Sequence, residues 1–110
     1  MRTDLNYLET MTEGDKGLIK ELIGIFSTQV KEYSAQMQKF LEERNWNELS
    51  KLAHKAKSTV AIMGMKKLSE NLKQLELLSN EGKETDSYSE FIDLFNTECK
   101  EAVSELQHYR

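Results

Sequence analysis

One histidine in the middle of the chain has the neighbours that nucleophilic chemistry requires. The stretch from Leu52 to Gly64 reads LAHKAKSTVAIMG and contains His54, one of only two histidines in the 110-residue chain. A histidine side chain is mostly neutral near pH 7, and the neutral imidazole is a nucleophile. Lys57 lies one helical turn further on, where its ammonium group could neutralise the oxygens of a phosphoryl group on the ring. The pattern therefore indicates phosphoryl transfer.

The apolar residues around His54 predict that its side chain is exposed. The apolar stripe of this segment recurs at helical spacing: Leu49, Leu52, Ala53, Ala56, Val60 and Met63. His54 lies about 140° from Leu49 around such a helix, well away from the stripe. Its neighbours on the outer face include Ser50, Lys57, Ser58 and Ala61. We therefore expect an imidazole that another protein can reach, flanked by small side chains and a lysine.

Positive charge is concentrated around this histidine. Between Ser50 and Ser69 the chain has five lysines, at positions 51, 55, 57, 66 and 67, and no Asp or Glu. The rest of the chain has 10 basic and 19 acidic residues. An acidic pocket of another protein, or a phosphate, is the natural counterpart of such a surface. The formal net charge of −4 argues against a nucleic-acid or anionic-membrane binder, which would have a basic excess.

The elements that must position this surface are helices. The chain has no proline and only five glycines, and its apolar residues follow helical spacing almost throughout. The pattern predicts a short N-terminal helix with Leu5, Leu8 and Met11, followed by four amphipathic helices. These extend over about residues 18–41, 46–63, 65–78 and 88–106, with Asn45 and Ser87 as expected N-caps. Helices with short connections pack most simply as an antiparallel up-down bundle. The sequence therefore predicts an all-α fold, a four-helix bundle with an additional N-terminal helix, in one domain over residues 1–110.

The composition also limits the cellular setting and the cofactors. Cys99 is the only cysteine, the N-terminus has no apolar signal region, and no apolar run approaches the roughly 18 residues that span a bilayer. We therefore expect a cytoplasmic protein that does not bind membranes. Glu105 and His108 form a single E-x-x-H, whereas a di-metal site in a helical bundle needs two such motifs and two further carboxylates. Neither a metal nor a cofactor is expected, and the sequence has no Gly-rich nucleotide loop.

The residues around His54 also resemble the signature of a known family. The stretch from Ala53 to Ser58, followed by Gly64, Leu68 and Leu75-Glu76, is similar to the pattern of histidine-containing phosphotransfer (HPt) domains. That pattern is roughly A-H-x-L-K-G-S/A, then a glycine, then L…LE, and the likeness extends over nearly the whole chain. Two positions depart from it, because Ala56 replaces the usual leucine and Ser58 the usual glycine. Ala56 faces the core and Ser58 is still small.

The resemblance implies a helical bundle without an ATP site, and a phosphocarrier of a His–Asp phosphorelay. Its histidine would accept a phosphoryl group from an aspartyl phosphate of a receiver domain and pass it to another receiver. Carried over, His54 is the phosphoacceptor through Nε2, Lys57 stabilises the phosphoryl group, and Gly64 keeps the surface open, with Ser58 and Ala61 as supporting small residues. The implied partners are response-regulator receiver domains and a hybrid histidine kinase, and we expect a monomer.

Several side chains close to His54 are candidates for contact with a partner. They are basic or apolar: Lys51, Lys55, Ala61, Ile62 and Met65. The apolar members lie off the main stripe and are expected to form a docking patch, since binding surfaces often include Met and Ala. Alternatively, they contact the neighbouring helix near its turn, and Gly64 only ends a helix. The alternative function is a helical interaction module whose Lys-rich face binds an acidic partner without phosphorylation.

Overall fold

Within residues 9–106, which the computed structural model describes, every regular element is helical. After a helical turn at residues 9–11, the chain forms α1 (Lys16–Glu43), α2 (Trp46–Ile62), α3 (Lys66–Glu81) and α4 (Tyr88–Leu106), with a 3₁₀ turn at Thr85–Ser87. Each helix packs against the one before it, and α4 closes the bundle against α1. The predicted all-α four-helix bundle is confirmed. Leu5 and Leu8 of the expected N-terminal helix lie outside the described residues.

Short connections make consecutive helices run antiparallel. Two residues separate α1 from α2, three separate α2 from α3 and six separate α3 from α4, too few to run back along a helix. Hydrogen bonds also join α1 to its neighbours, since the hydroxyls of Tyr33 in α1 and Thr59 in α2 are 3.3 Å apart and Ser34 in α1 donates to Asn96 in α4 at 2.6 Å. The order of the helices and their directions are therefore those of an up-down bundle.

Side-chain caps set the first turns of α1 and α2. Oδ1 of Asp15 accepts a hydrogen bond from the Leu18 amide at 3.0 Å, and Oδ1 of Asn45 accepts one from the Glu48 amide at 3.3 Å. The predicted cap at Asn45 is therefore confirmed. Ser87 precedes α4 as expected, but the prediction that it caps this helix is wrong. Ser87 is the last residue of the 3₁₀ turn Thr85–Ser87, which leads directly into α4, so the helical backbone already begins before it. Its hydroxyl donates to the Glu84 carbonyl at 2.7 Å.

The core takes one apolar stripe from each helix. Ala53 and Ala56 of α2 are fully buried, and their small side chains allow α2 and α3 to pack more extensively than any other helix pair of the described chain. Cys99 of α4 is also fully buried, and burial, together with the charge of nearby Glu98, raises the pKa of its thiol to about 12. It therefore packs as a protonated, apolar side chain. No helix within residues 9–106 is both long and apolar enough to cross a bilayer.

Candidate functional site

The site lies on the outer face of α2, near the middle of the helix. Ala53, Ala56 and Val60 face the core, which turns His54 outward, and 60% of its side chain is exposed. Ser58 and Ala61 follow on the same face and are exposed as well. The depression beside the ring is open to solvent and is not an enclosed cavity. The imidazole is therefore accessible to another protein, as the helical spacing predicts.

A glutamate from the neighbouring helix orients the ring. Oε2 of Glu76, in α3, lies 3.0 Å from Nδ1 of His54. An ionised carboxylate can only accept a hydrogen bond, so the proton of the neutral ring is assigned to Nδ1 by this partner. The same assignment leaves the lone pair on Nε2, the ring nitrogen that Glu76 does not contact. The arrangement therefore leaves Nε2 as the ring nitrogen that can act as an acceptor or a nucleophile.

Lys57 belongs to the same cluster, and its ammonium group contacts the carboxylate. Its Nζ donates to Oε1 of Glu76 at 3.2 Å, and the Lys57 and Glu76 side chains are each only 24% exposed. The two oxygens of Glu76 therefore serve two different partners, the His54 ring and the Lys57 ammonium. Such pairing satisfies a carboxylate that is largely withdrawn from water.

Comparison with known proteins identifies the family of the chain. The sequence matches the Hpt domain family over residues 21–109, which is most of the chain. The chain belongs to the Hpt domain family. It is also 33% identical over 67 residues to the phosphorelay intermediate protein YPD1 of Candida albicans. That match covers 61% of this chain and 36% of the yeast protein, and no solved structure matches.

The contact of Glu76 with His54 does not follow from the sequence of this Hpt domain. Glu76 belongs to the Leu75-Glu76 pattern, but that pattern does not indicate which side chain it contacts. Residues 50–69 include no Asp or Glu. In the folded protein, however, α3 places the Glu76 carboxylate against His54 and Lys57 in the middle of this segment. The sequence does place a carboxylate, Glu76, directly after the buried core residue Leu75. To infer from this that Glu76 contacts His54, one must know how α3 packs on α2.

Gly64 ends α2 and lies outside the helix. Its φ is +77°, and its amide donates to the Ala61 carbonyl at 3.0 Å while the Met65 amide donates to the Val60 carbonyl at 3.1 Å. This pair of bonds is the Schellman motif, in which a left-handed residue closes the last helical turn. The expected helix stop at Gly64 is thus a feature of this Hpt domain. Its expected role in keeping the histidine surface open stays a prediction.

The apolar candidates for docking separate into two groups. Ile62 is 43% exposed and Ala61 is exposed beside it, but Met65 is only 4% exposed. Met65 was expected on the surface and instead packs in the core, because the turn at Gly64 directs it inward at the start of α3. Ile25 of α1, which is not among the docking candidates from the sequence, is 47% exposed.

The basic docking candidates lie on the surface near the ring. Lys55 is exposed, and Lys51 pairs with Glu48 at 3.5 Å.

The described residues offer no set of side chains for a metal ion. Within residues 9–106, no group of three or more His, Cys, Asp and Glu side chains is arranged to hold one. His108, the second member of the E-x-x-H pair with Glu105, lies outside the described residues.

Proposed function

We propose that this Hpt domain is a phosphocarrier that accepts a phosphoryl group on Nε2 of His54 from an aspartyl phosphate of a receiver domain and passes it to another receiver. The observation that carries the proposal is an exposed imidazole whose Nδ1 is engaged by Glu76, which leaves Nε2 as the nitrogen available for reaction. The family match and the similarity to a phosphorelay intermediate protein support it.

The transfer step balances without any group from outside the two proteins. The Nε2 lone pair attacks the phosphorus, a P–N bond forms, and the P–O bond to the receiver aspartate breaks, which releases the aspartate as a carboxylate. The proton stays on Nδ1, so the phosphorylated ring carries a positive charge next to the Glu76 carboxylate. Onward transfer reverses these bonds, with the imidazole as the leaving group. The phosphoryl group comes from the partner, and the carrier itself needs no nucleotide.

We assign to Lys57 the role of neutralising the negative charge of the phosphoryl oxygens, although its ammonium group contacts Glu76 in the structure. A lysine side chain is flexible and its ammonium is a compact point charge, so it can leave Oε1 when a phosphoryl group arrives on the ring. Phosphoryl transfer depends mostly on positioning and on electrostatic stabilisation, which is what such a movement supplies. Glu76 then keeps its contact with Nδ1 of His54, whose ring has become positively charged.

The proposed docking surface extends from His54 along the outer face of α2. It consists of Lys51, Lys55, Ala61 and Ile62. The apolar members supply area that a partner can bury, and the lysines complement an acidic phosphorylation pocket. Receiver domains are the proposed partners, a hybrid histidine kinase is a further one, and the carrier is proposed to act as a monomer.

The test is phosphoryl uptake from a receiver charged with radiolabelled phosphate. We expect a label on the carrier that is labile in acid and stable in base, as for a phosphorus–nitrogen bond, and no label on His54→Gln. Far-UV circular dichroism should show that the variant is folded, because an exposed side chain is replaced. Lys57→Ala should be labelled more slowly while its affinity for the receiver changes less. Uptake by His54→Gln would remove the assignment, and an unlabelled wild-type protein with several receivers would favour the interaction module.

A further inference from the structure

Two serines connect α2 and α3 on either side of His54. Ser50, in α2, donates its hydroxyl to the Glu76 carbonyl of α3 at 2.9 Å. Ser69, in α3, donates its hydroxyl to the Lys57 carbonyl of α2 at 3.2 Å. The two bonds run in opposite directions between the helices. Each ends on the backbone of a residue whose side chain belongs to the histidine cluster.

These bonds differ from the usual behaviour of serine within a helix. Such a serine ordinarily donates to a carbonyl of its own helix or points to water. Ser79 does the former, because its hydroxyl donates to the Leu75 carbonyl at 2.6 Å. Ser50 and Ser69 instead reach the opposite helix, and Ser50 is only 7% exposed. The carbonyls that they contact lie inside helices, where the backbone already provides an amide partner. The serines are therefore not needed to satisfy the backbone, and their effect is on the placement of the helices.

The relative placement of α2 and α3 decides whether Glu76 reaches His54. Side chains lean toward the N-terminus of their own helix, so in an antiparallel pair those of Glu76 and His54 lean toward each other along the axis. Their contact is 3.0 Å long. Sliding one helix by a single residue moves its side chains by about 1.5 Å, which is more than the whole range of N–H···O distances. The contact therefore depends on a register fixed to a fraction of a residue.

We propose that Ser50 and Ser69 are positioning residues that hold the α2–α3 register in which Glu76 keeps the proton of His54 on Nδ1. The inference rests on the proposed phosphocarrier function and gives the two serines no contact with the phosphoryl group. Satisfied polar contacts between helices specify one arrangement of a core more strictly than apolar packing alone. A misplacement of about 1 Å in a reacting group lowers rates by as much as 10²-fold, so the register matters for transfer.

The test compares the double variant Ser50→Ala/Ser69→Ala with the wild-type protein by two measurements. The first is the ¹⁵N NMR signature of the His54 ring, which reports the tautomer without any partner. We expect at least half of the Nδ1–H tautomer to be lost in the double variant. The second is phosphoryl uptake at saturating receiver, which we expect to slow about tenfold, while the affinity for the receiver stays within about twofold. Ser69→Ala alone should show a smaller change of the same kind.

Two further variants separate a loss of positioning from a general loss of stability. Ser69→Thr retains a hydroxyl at the position and should restore the wild-type tautomer. Ser87→Ala removes a hydroxyl that donates to the Glu84 carbonyl at 2.7 Å, before α4, and should change neither measurement. A folded double variant with the wild-type tautomer and uptake rate overturns the inference. A wild-type protein that takes up no phosphoryl group overturns the proposed function instead. The ¹⁵N NMR comparison of the His54 tautomer then tests the positioning role of the serines without any transfer.

Discussion

At the scale of single residues, Glu76 has two effects on the reactive histidine. Its contact with Nδ1 orients the ring. In the proposed transfer, this contact would select Nε2 as the nucleophile, and the negative charge of Glu76 would stabilise the positive ring that phosphorylation creates. The first effect requires only an acceptor at the right place, whereas the second requires a charge. The two can therefore be separated by substitution.

We predict that Glu76→Gln retains the Nδ1–H tautomer but slows phosphoryl uptake by about tenfold, because an amide oxygen still accepts the hydrogen bond without offsetting the charge. Glu76→Ala should lose the tautomer as well and slow uptake further. ¹⁵N NMR of the His54 ring and single-turnover uptake from a phosphorylated receiver are the two measurements. Equal uptake rates for the wild-type protein and Glu76→Gln would show that the charge has no part in the transfer.

At the scale of the helices, the end of α2 depends on a single glycine. Gly64 has a left-handed φ of +77°, and Gly82 ends α3 in the same conformation with a φ of +67°. Any other L-residue is strained in that region. Gly64 follows His54 by ten positions, or about 15 Å along a helix, so the end of α2 and the histidine surface can be tested separately.

We predict that Gly64→Ala and Gly82→Ala each lower the free energy of unfolding by about 1 kcal/mol. Urea unfolding followed by circular dichroism measures this change. Gly82→Ala should keep the wild-type rate of phosphoryl uptake at saturating receiver, and Gly64→Ala should match it if Gly64 only ends a helix. A slower rate for Gly64→Ala alone would instead support the role in keeping the histidine surface open.

The helices themselves follow from local sequence, and the contacts between them do not. The third predicted segment, about residues 46–63, agrees with α2 at Trp46–Ile62 because Asn45 and Gly64 mark its two ends. The role of Glu76 and the burial of Met65 could not be predicted in this way. Both depend on the register of α3 against α2 and on the direction of the turn between them, which no short stretch of sequence encodes. Ser87 was misassigned for a related reason, since the 3₁₀ turn that leads into α4 begins the helical backbone before it.

At the scale of the whole molecule, two pairs of exposed lysines lie on separate surfaces. Lys51 and Lys55 are exposed near His54, whereas Lys31 and Lys100 flank an apolar groove between α1 and α4. The chain has a net charge of −4, so neither surface reflects a general basic character. The second pair therefore provides a control for tests of the first.

We predict that Lys51→Glu/Lys55→Glu weakens the binding of a receiver roughly tenfold, because the proposed partner presents an acidic pocket, and that the difference shrinks at high salt. Lys31→Glu/Lys100→Glu changes the net charge equally and should have little effect. Titration of each protein with a receiver at two ionic strengths measures the dissociation constants. Equal losses in both double variants would indicate that only the total charge matters.

The stability of the bundle should fall at alkaline pH, partly because of Cys99. Burial raises the pKa of this thiol from 9.0 to about 12, so above pH 9 the unfolded chain loses a proton that the folded chain keeps. Stability from this source is complete below pH 9 and decreases by about 1.4 kcal/mol per pH unit up to about pH 12. Burial also raises the pKa of Tyr88, which adds a loss in the same direction.

We therefore predict that Cys99→Ala reduces the loss of unfolding free energy between pH 8 and pH 10.5 by about 2 kcal/mol. The comparison uses the change with pH and not the absolute stability, because the smaller side chain also leaves space in the core. Urea unfolding at the two pH values, followed by circular dichroism, provides both quantities. An identical pH dependence in the two proteins would mean that the thiol ionises as easily in the bundle as in the unfolded chain.

The hydrogen bonds that join His54 and Lys57 to Glu76, and those that connect α2 to α3, all lie within one helical hairpin, residues 50–76. The residues proposed for docking, Lys51, Lys55, Ala61 and Ile62, lie in the same hairpin. We therefore expect that exchange of this hairpin between related carriers would transfer the proposed reactive site together with the surface that selects its receivers. Recombination of this single segment would then give such a carrier a new signalling route without changes in α1 or α4.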